Sequence, residues 1–286
     1  MSKVTLEQML EAGLHFGHQT FRWHPGMKPY IFDARDGVHI IDLTKTDEKL
    51  EEALGFVAKV AQSGGKLLLV GTKRQASGVI KEIATESGLP YVAQRWPGGL
   101  LTNYQTMKKR IEYLKSLREK VAKKDFGDMT KQEIGLLEKK LALLEESFGG
   151  LDSLTELPKA VFIVDVVREK YALKEAIKLG IPAIAMADTN ANPEGIAYLI
   201  PANDDAKQGV KLITKAIVDE YTKSYKPVSG GEDQATQANV EEDVAEVLEQ
   251  KEVQLAETKQ EKEKAEAEKT EKLATTKKTT TKKGAK

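Results

Sequence analysis

The chain has 286 residues, 40% of them hydrophobic and 31% charged, and its 44 basic side chains balance 44 acidic ones. That length suits one large domain or two small ones, each with a buried core. The absence of Cys excludes disulfides, thiolate zinc centres and cysteine nucleophiles, and it fits a reducing compartment.

The zero net charge conceals an uneven distribution. Ser229 to Glu271 holds 14 acidic and 5 basic residues, and Lys272 to Lys286 holds 6 Lys and no acid. Met1 to Val228 is left at +3, so a mildly basic folded part carries a polarised tail. The opening M-S-K-V-T-L-E-Q-M-L-E lacks the apolar stretch of a signal peptide. No run approaches the ~18 apolar residues of a membrane span. The expectation is a soluble, cytoplasmic chain without membrane contact.

Taken in order, Thr5 to Ala12 is a short helix opened by a T-x-x-Q capping box and ended by Gly13. An irregular segment follows, rich in Gly, Pro and aromatics, with His15, His18, Trp23 and His24. Tyr30–Phe32 and Val38–Ile41 read as a β-hairpin, with Arg35 at its tip. Asp47 to Ser63 has helical apolar spacing. Lys66 to Val70 is a short apolar run of the kind buried on both faces of a parallel sheet. A helix to about Glu86 and a strand at Tyr91–Ala93 complete a βαβ unit.

The stretch Q-R-W-P-G-G-L-L-T-N-Y-Q-T-M, Gln94 to Met107, then interrupts this rhythm. Pro97-Gly98-Gly99 holds neither helix nor central strand, and Thr102 with Gln105 forms a second T-x-x-Q pattern. Two apolar stripes follow at 3-4 spacing. Tyr104 to Val121 carries the first and Ile134 to Phe148 the second, so an antiparallel coiled-coil hairpin is expected. Each arm of about 20 residues would reach about 30 Å. Beyond Gly149-Gly150, A-V-F-I-V-D-V is a buried strand, Arg168 to Leu179 a helix, and I-P-A-I-A-M-A-D another strand. Ala197 to Ile200 is a short strand, and a last helix runs to about Tyr225, capped by Asp204 or Asp205.

Five strands with intervening helices predict a three-layer α/β/α core with a mostly parallel sheet. The domain reading has four parts. Residues 1–46 form the N-terminal helix, irregular segment and hairpin. Residues 47–101 and 150–226 form the core, and 102–149 the coiled-coil insertion. Residues 227–286 are a low-complexity, largely disordered tail.

An enzyme on this scaffold would need a site, and the usual signatures are missing. The loop G-T-K-R-Q-A-S lacks the dinucleotide-binding and P-loop glycine patterns, and there is no nucleophile elbow. A nucleotide- or sugar-phosphate-binding enzyme using Thr72 to Gln75 is the alternative reading. A coiled-coil adaptor that binds only protein is a third. His18, Asp188, Asp204 and Asp205 could form a mixed N/O site for a structural Zn or Mg ion, though such Asp residues also serve as turn formers and helix caps.

The groups suited to nucleic acid are spread over several loops. They are Arg22, Trp23 and His24; Arg35; Lys73 and Arg74; and Arg95 and Trp96 with Gly98, Gly99 and Asn103. Lys108 and Lys109 begin a cationic row along the first arm. Separated contacts suit a scaffold lying along folded RNA better than a pocket converging on one substrate.

Six stretches carry a resemblance. R-W-H-P-G-M-K-P-Y-I-F, D-G-V-H-I-I-D-L-T-K-T, L-L-V-G-T-K-R-Q-A, R-W-P-G-G-L-L-T-N-Y-Q-T-M, L-P-K-A-V-F-I-V-D and G-I-P-A-I-A-M-A-D-T-N resemble the bacterial form of the small-subunit ribosomal protein S2 family. I-P-A-N-D-D-A fits as well, and the match runs in order from about Thr5 to Tyr225. The resemblance implies a flavodoxin-like core with a coiled-coil protrusion and no enzymatic activity, required cofactor or small-molecule substrate. It implies contact with 16S ribosomal RNA between head and body of the small subunit. Recruitment of ribosomal protein S1 and proximity to other small-subunit proteins are implied too. Pro97 replaces a bulkier residue of the family pattern, and His24 replaces a common Asn.

Overall fold

In this computed structural model, residues 4–124, 126–127 and 130–225 are described. The expectation for the tail beyond Pro227 lies outside them.

Helix α1 (Leu6–Glu11) starts where expected, with the Thr5–Gln8 capping box closed in both directions. The segment read as irregular contains strand β1 (Phe16–Gln19) and two short 3-10 turns, Thr20–Arg22 and Pro25–Tyr30. β1 pairs antiparallel with β3 (Val38–Ile41), which also pairs with β2 (Ile31–Arg35), giving a small sheet of order β1-β3-β2. F-G-H-Q lacks clean alternation, and its register against β3 shifts, which hides the strand from a period-2 reading. Helix α2 (Leu43–Gln62) begins earlier than the apolar spacing suggests, because the Asp42 carboxylate accepts from the Thr44 amide at 3.1 Å.

The core follows from its apolar runs. β4 (Leu67–Val70), β6 (Ala160–Val164) and β7 (Ala183–Ala187) are buried at every residue. They lie centrally in a five-stranded parallel sheet of order β5-β4-β6-β7-β8, with β5 (Tyr91–Val92) and β8 (Tyr198–Pro201) at the edges. Helices α3 (Arg74–Ser87) and α6 (Lys170–Lys178) lie in the crossovers, and α2 and α7 (Lys207–Ser224) add to the flanking layers. Phe162 is fully buried at the sheet centre, where truncation to Ala would cost ~4 kcal/mol. Such runs fold this way because water has no access to either face of a strand covered by helices. This strand order is that of a flavodoxin-like fold.

The N-terminal segment is stitched to the carboxyl end of β8. Asn203 N–H donates to the Leu14 carbonyl at 3.1 Å, and Thr46 Oγ1 donates to the Pro201 carbonyl at 2.6 Å. The insertion is a pair of helices, α4 (Tyr104–Lys123) and α5 (Lys131–Phe148), in contact with each other. α4 buries Tyr104, Met107, Ile111, Leu114 and Leu117, whereas α5 buries only Phe148. Arg118 crosses between them, pairing with Glu145 and Asp152.

Candidate nucleic-acid interface

In a sheet of this order the chain reverses direction between β4 and β6, and their carboxyl ends form the usual ligand crevice. Here that edge is closed by its own side chains. Glu169 accepts from the amide and the hydroxyl of Thr72, and Arg168 Nε donates to the same hydroxyl at 3.0 Å. Asp165, in the left-handed region at φ 66°, accepts from the Arg168 amide at 3.0 Å. Lys73 Nζ lies 2.6 Å from Asp204 Oδ1, 2.6 Å from Asp205 Oδ1 and 3.5 Å from Asp165 Oδ2. Lys73, expected to meet a phosphate, is paired here with three carboxylates. Neither Asp caps α7, whose N-cap is Ala206 with no side-chain bond.

The electrostatics follow from this crowding. Burial opposes charge on Lys73, but the Asp204 and Asp205 carboxylates outweigh it and raise the ammonium pKa. Burial, together with the charges of Asp165 and Asp188, pushes the Asp204 carboxyl up to about 7, against the pull of Lys73. The Asp188 hydrogen bond raises the His18 imidazole despite its partial burial, with Nδ1 2.8 Å from Asp188 Oδ2. His18, Asp188 and Asp204 each offer one ligand atom within 4.8 Å of the others. Asp205 stands further out, 3.9 Å from His18 Nε2. This donor set has the N/O chemistry of a small dication, but Lys73 already supplies a cation to Asp204. Five carboxyl groups (Asp165, Glu169, Asp188, Asp204 and Asp205) crowd Lys73, Arg168 and His18 at this edge, so Lys73 and His18 already have carboxyl partners there.

The Gln94–Met107 stretch is organised from below by a residue that the sequence did not mark. Glu175 of α6 takes Trp96 Nε1–H at 3.0 Å and Gly99 N–H at 2.7 Å on one carboxylate oxygen. Its other oxygen takes Leu101 N–H at 3.0 Å, Thr102 N–H at 3.1 Å and the Thr102 hydroxyl at 3.1 Å. Burial alone would raise the Glu175 pKa, but these hydrogen bonds outweigh it and lower it. Trp96, expected as a stacking surface, is only 8% exposed. One expectation is corrected. Thr102 spends its hydroxyl on Glu175 instead of capping a helix, and α4 starts one residue later, after Asn103. Gly99 takes φ 83° and donates inward, so its amide is not directed at a phosphate. No spacing rule marks Glu175, because one carboxylate in an amphipathic helix reads as a solvated face.

The remaining candidates lie on separate elements. Arg22 is exposed, with its guanidinium 5.4 Å from the Phe21 ring centre. Trp23 is partly exposed and its ring meets His39 at 5.6 Å. His24 Nδ1 accepts from the Gly26 amide at 3.1 Å, a turn-forming role. Arg35 is 76% exposed at the β2–β3 turn, Arg74 is exposed at the start of α3, and Arg95 is exposed beside the buried Trp96. Gly98 is exposed, and a Cβ added there would meet nothing within 4 Å. Asn103 and Lys109 are exposed and Lys108 is half-buried around the start of α4. Phe21 and Phe32 are also exposed, at 74% and 71%. Two clefts, one beside β5 and one between α2 and α7, are lined by none of these candidates. No helix of the described residues is long and apolar enough to cross a membrane.

Comparisons with known proteins agree with the fold. The family model described as Ribosomal protein S2 matches residues 9–224. The Small ribosomal subunit protein uS2 of Fusobacterium nucleatum subsp. nucleatum is 47% identical over 247 residues, covering 86% of this chain and 100% of that protein. The proteins of the same name from Dehalococcoides mccartyi strains BAV1 and CBDB1 are each 45% identical over 219 residues, covering 77% of this chain and 89% of theirs. The chain belongs to the ribosomal protein S2 family, a family of structural ribosomal proteins and not of enzymes.

Proposed function

We propose that this chain is a structural constituent of the small ribosomal subunit, held against 16S ribosomal RNA between head and body. One observation carries the reading. The exposed cations Arg22, Arg35, Arg74, Arg95 and Lys109 sit on five different elements or loops, while the crevice at the sheet edge is filled by carboxylates. Dispersed cations meet phosphates strung along a folded polyanion, and a filled, acidic crevice does not admit a nucleotide. Trp23, Gly98 and Asn103 line the same exposed loops. Lys73, Trp96 and Gly99 act in this proposal as supports, not contacts.

The helix pair projects Lys108 and Lys109 as a cationic base, and we take the pair to be a coiled coil. Recruitment of ribosomal protein S1, and contact with neighbouring small-subunit proteins, rest on family membership. The family indicates no cofactor. A structural Zn or Mg ion at His18, Asp188 and Asp204 would have to displace Lys73 from Asp204.

The test is hydroxyl-radical footprinting of 16S RNA in small subunits with and without this chain. Protection confined to the head–body junction, and loss of S1 from subunits lacking the chain, are expected. Identical cleavage patterns in the two samples would overturn the reading.

A further inference from the structure

The geometry points to Glu175 as the positioning residue that sets the RNA-facing loop Arg95–Asn103, a role that rests on the reading above. Successive backbone amides curling around a centre form a nest, a concavity that normally collects an anion such as phosphate. In this protein the amides of Gly99, Leu101 and Thr102 make a similar concavity around the carboxylate of Glu175, with the intervening Leu100 amide turned to the Pro97 carbonyl, and the carboxylate also holds the indole of Trp96 and the Thr102 hydroxyl. The anion is internal, so the loop is pre-shaped before any RNA arrives.

The consequence is directional. With the amides of Gly99, Leu101 and Thr102 turned inward, Arg95, Gly98 and Asn103 remain on the outer surface. Trp96 is pinned beneath them at 8% exposure. A loop held in one shape loses less conformational entropy when it docks. Glu175 thereby supports affinity without touching RNA.

Glu175→Gln keeps size but turns one acceptor into a donor. Both oxygen positions face donors, Trp96 and Gly99 on one and Leu101 and Thr102 on the other, so the new NH2 meets donors on either side and the nest opens. Glu175→Asp keeps the charge but shortens its reach.

The experiment uses the full chain and small subunits stripped of it, with binding measured across a salt series. Glu175→Gln is expected to weaken binding about tenfold, with Glu175→Asp in between. The Glu175→Gln, Arg95→Ala double variant is expected to bind no more than about twofold worse than the weaker single variant, because coupled residues are non-additive. In a Trp23→Phe background, where Trp96 is the sole indole, Glu175→Gln should shift emission to the red. Binding and salt slope of Glu175→Gln equal to wild type, with the emission shift present, would overturn the role. Full additivity with Arg95→Ala would do so as well. Failure of the wild-type chain itself to bind stripped subunits would instead remove the RNA-binding reading, and this role with it.

Discussion

Lys73 Nζ lies 2.6 Å from the Oδ1 of Asp204, a carboxylate 131 positions away that is almost fully buried. The pair ties the loop after β4 to the loop after β8, and its role is structural. Lys73→Met leaves buried carboxylates without their cation and should cost ~3 kcal/mol of stability. Urea unfolding reads that loss, and affinity for stripped small subunits should change less than threefold. Unchanged stability with a large fall in affinity would restore Lys73 to the RNA surface.

Gly98 and Gly99 are adjacent but should respond oppositely. A Cβ at Gly98 meets open space, so Gly98→Ala should leave the midpoint of unfolding of the free chain unchanged. If a phosphate chain approaches there, the same methyl weakens binding to the subunit severalfold. Gly99 sits at φ 83°, and its Cβ would lie 3.3 Å from that of Asn103, so Gly99→Ala should destabilise the free chain by ~1–2 kcal/mol. Equal effects of both changes on unfolding would contradict this division.

The Glu175 nest implies an acid limb. Its folded pKa is lowered relative to the usual glutamate value of 4.5, so its stabilising contribution is complete above that value and is lost as pH falls below it. Melting temperature against pH should therefore fall more steeply below pH 4.5 for wild type than for Glu175→Gln. Parallel curves would mean the carboxylate contributes no linkage.

The sheet and helices were legible in the sequence because continuous apolar runs and 3-4 spacing report burial directly. A-V-F-I-V and A-I-A-M-A have no reading other than doubly covered strands once helices flank them. What the sequence concealed was the partnership of distant polar groups. Lys73 looked like an anion ligand because its partners, Asp204 and Asp205, arrive from the far end of the chain. Trp96 looked like a stacking surface because its hydrogen-bond partner is on another helix. Thr102 looked like a cap because its local spacing allows one, and a single long-range carboxylate overrides that preference. Arg22, Arg35 and Arg95 are exposed as expected, because a cation beside a turn needs no distant partner to be placed at the surface.

The most direct measurement is the salt dependence of binding to small subunits stripped of this chain, for wild type and for Arg22→Ala, Arg35→Ala and Arg95→Ala. Each lost phosphate contact should reduce the slope of log K against log salt by about 1, with effects that add across the separated sites. A steep wild-type slope, stepping down with each substitution, is the expected result. A flat slope indifferent to all three arginines would contradict the account.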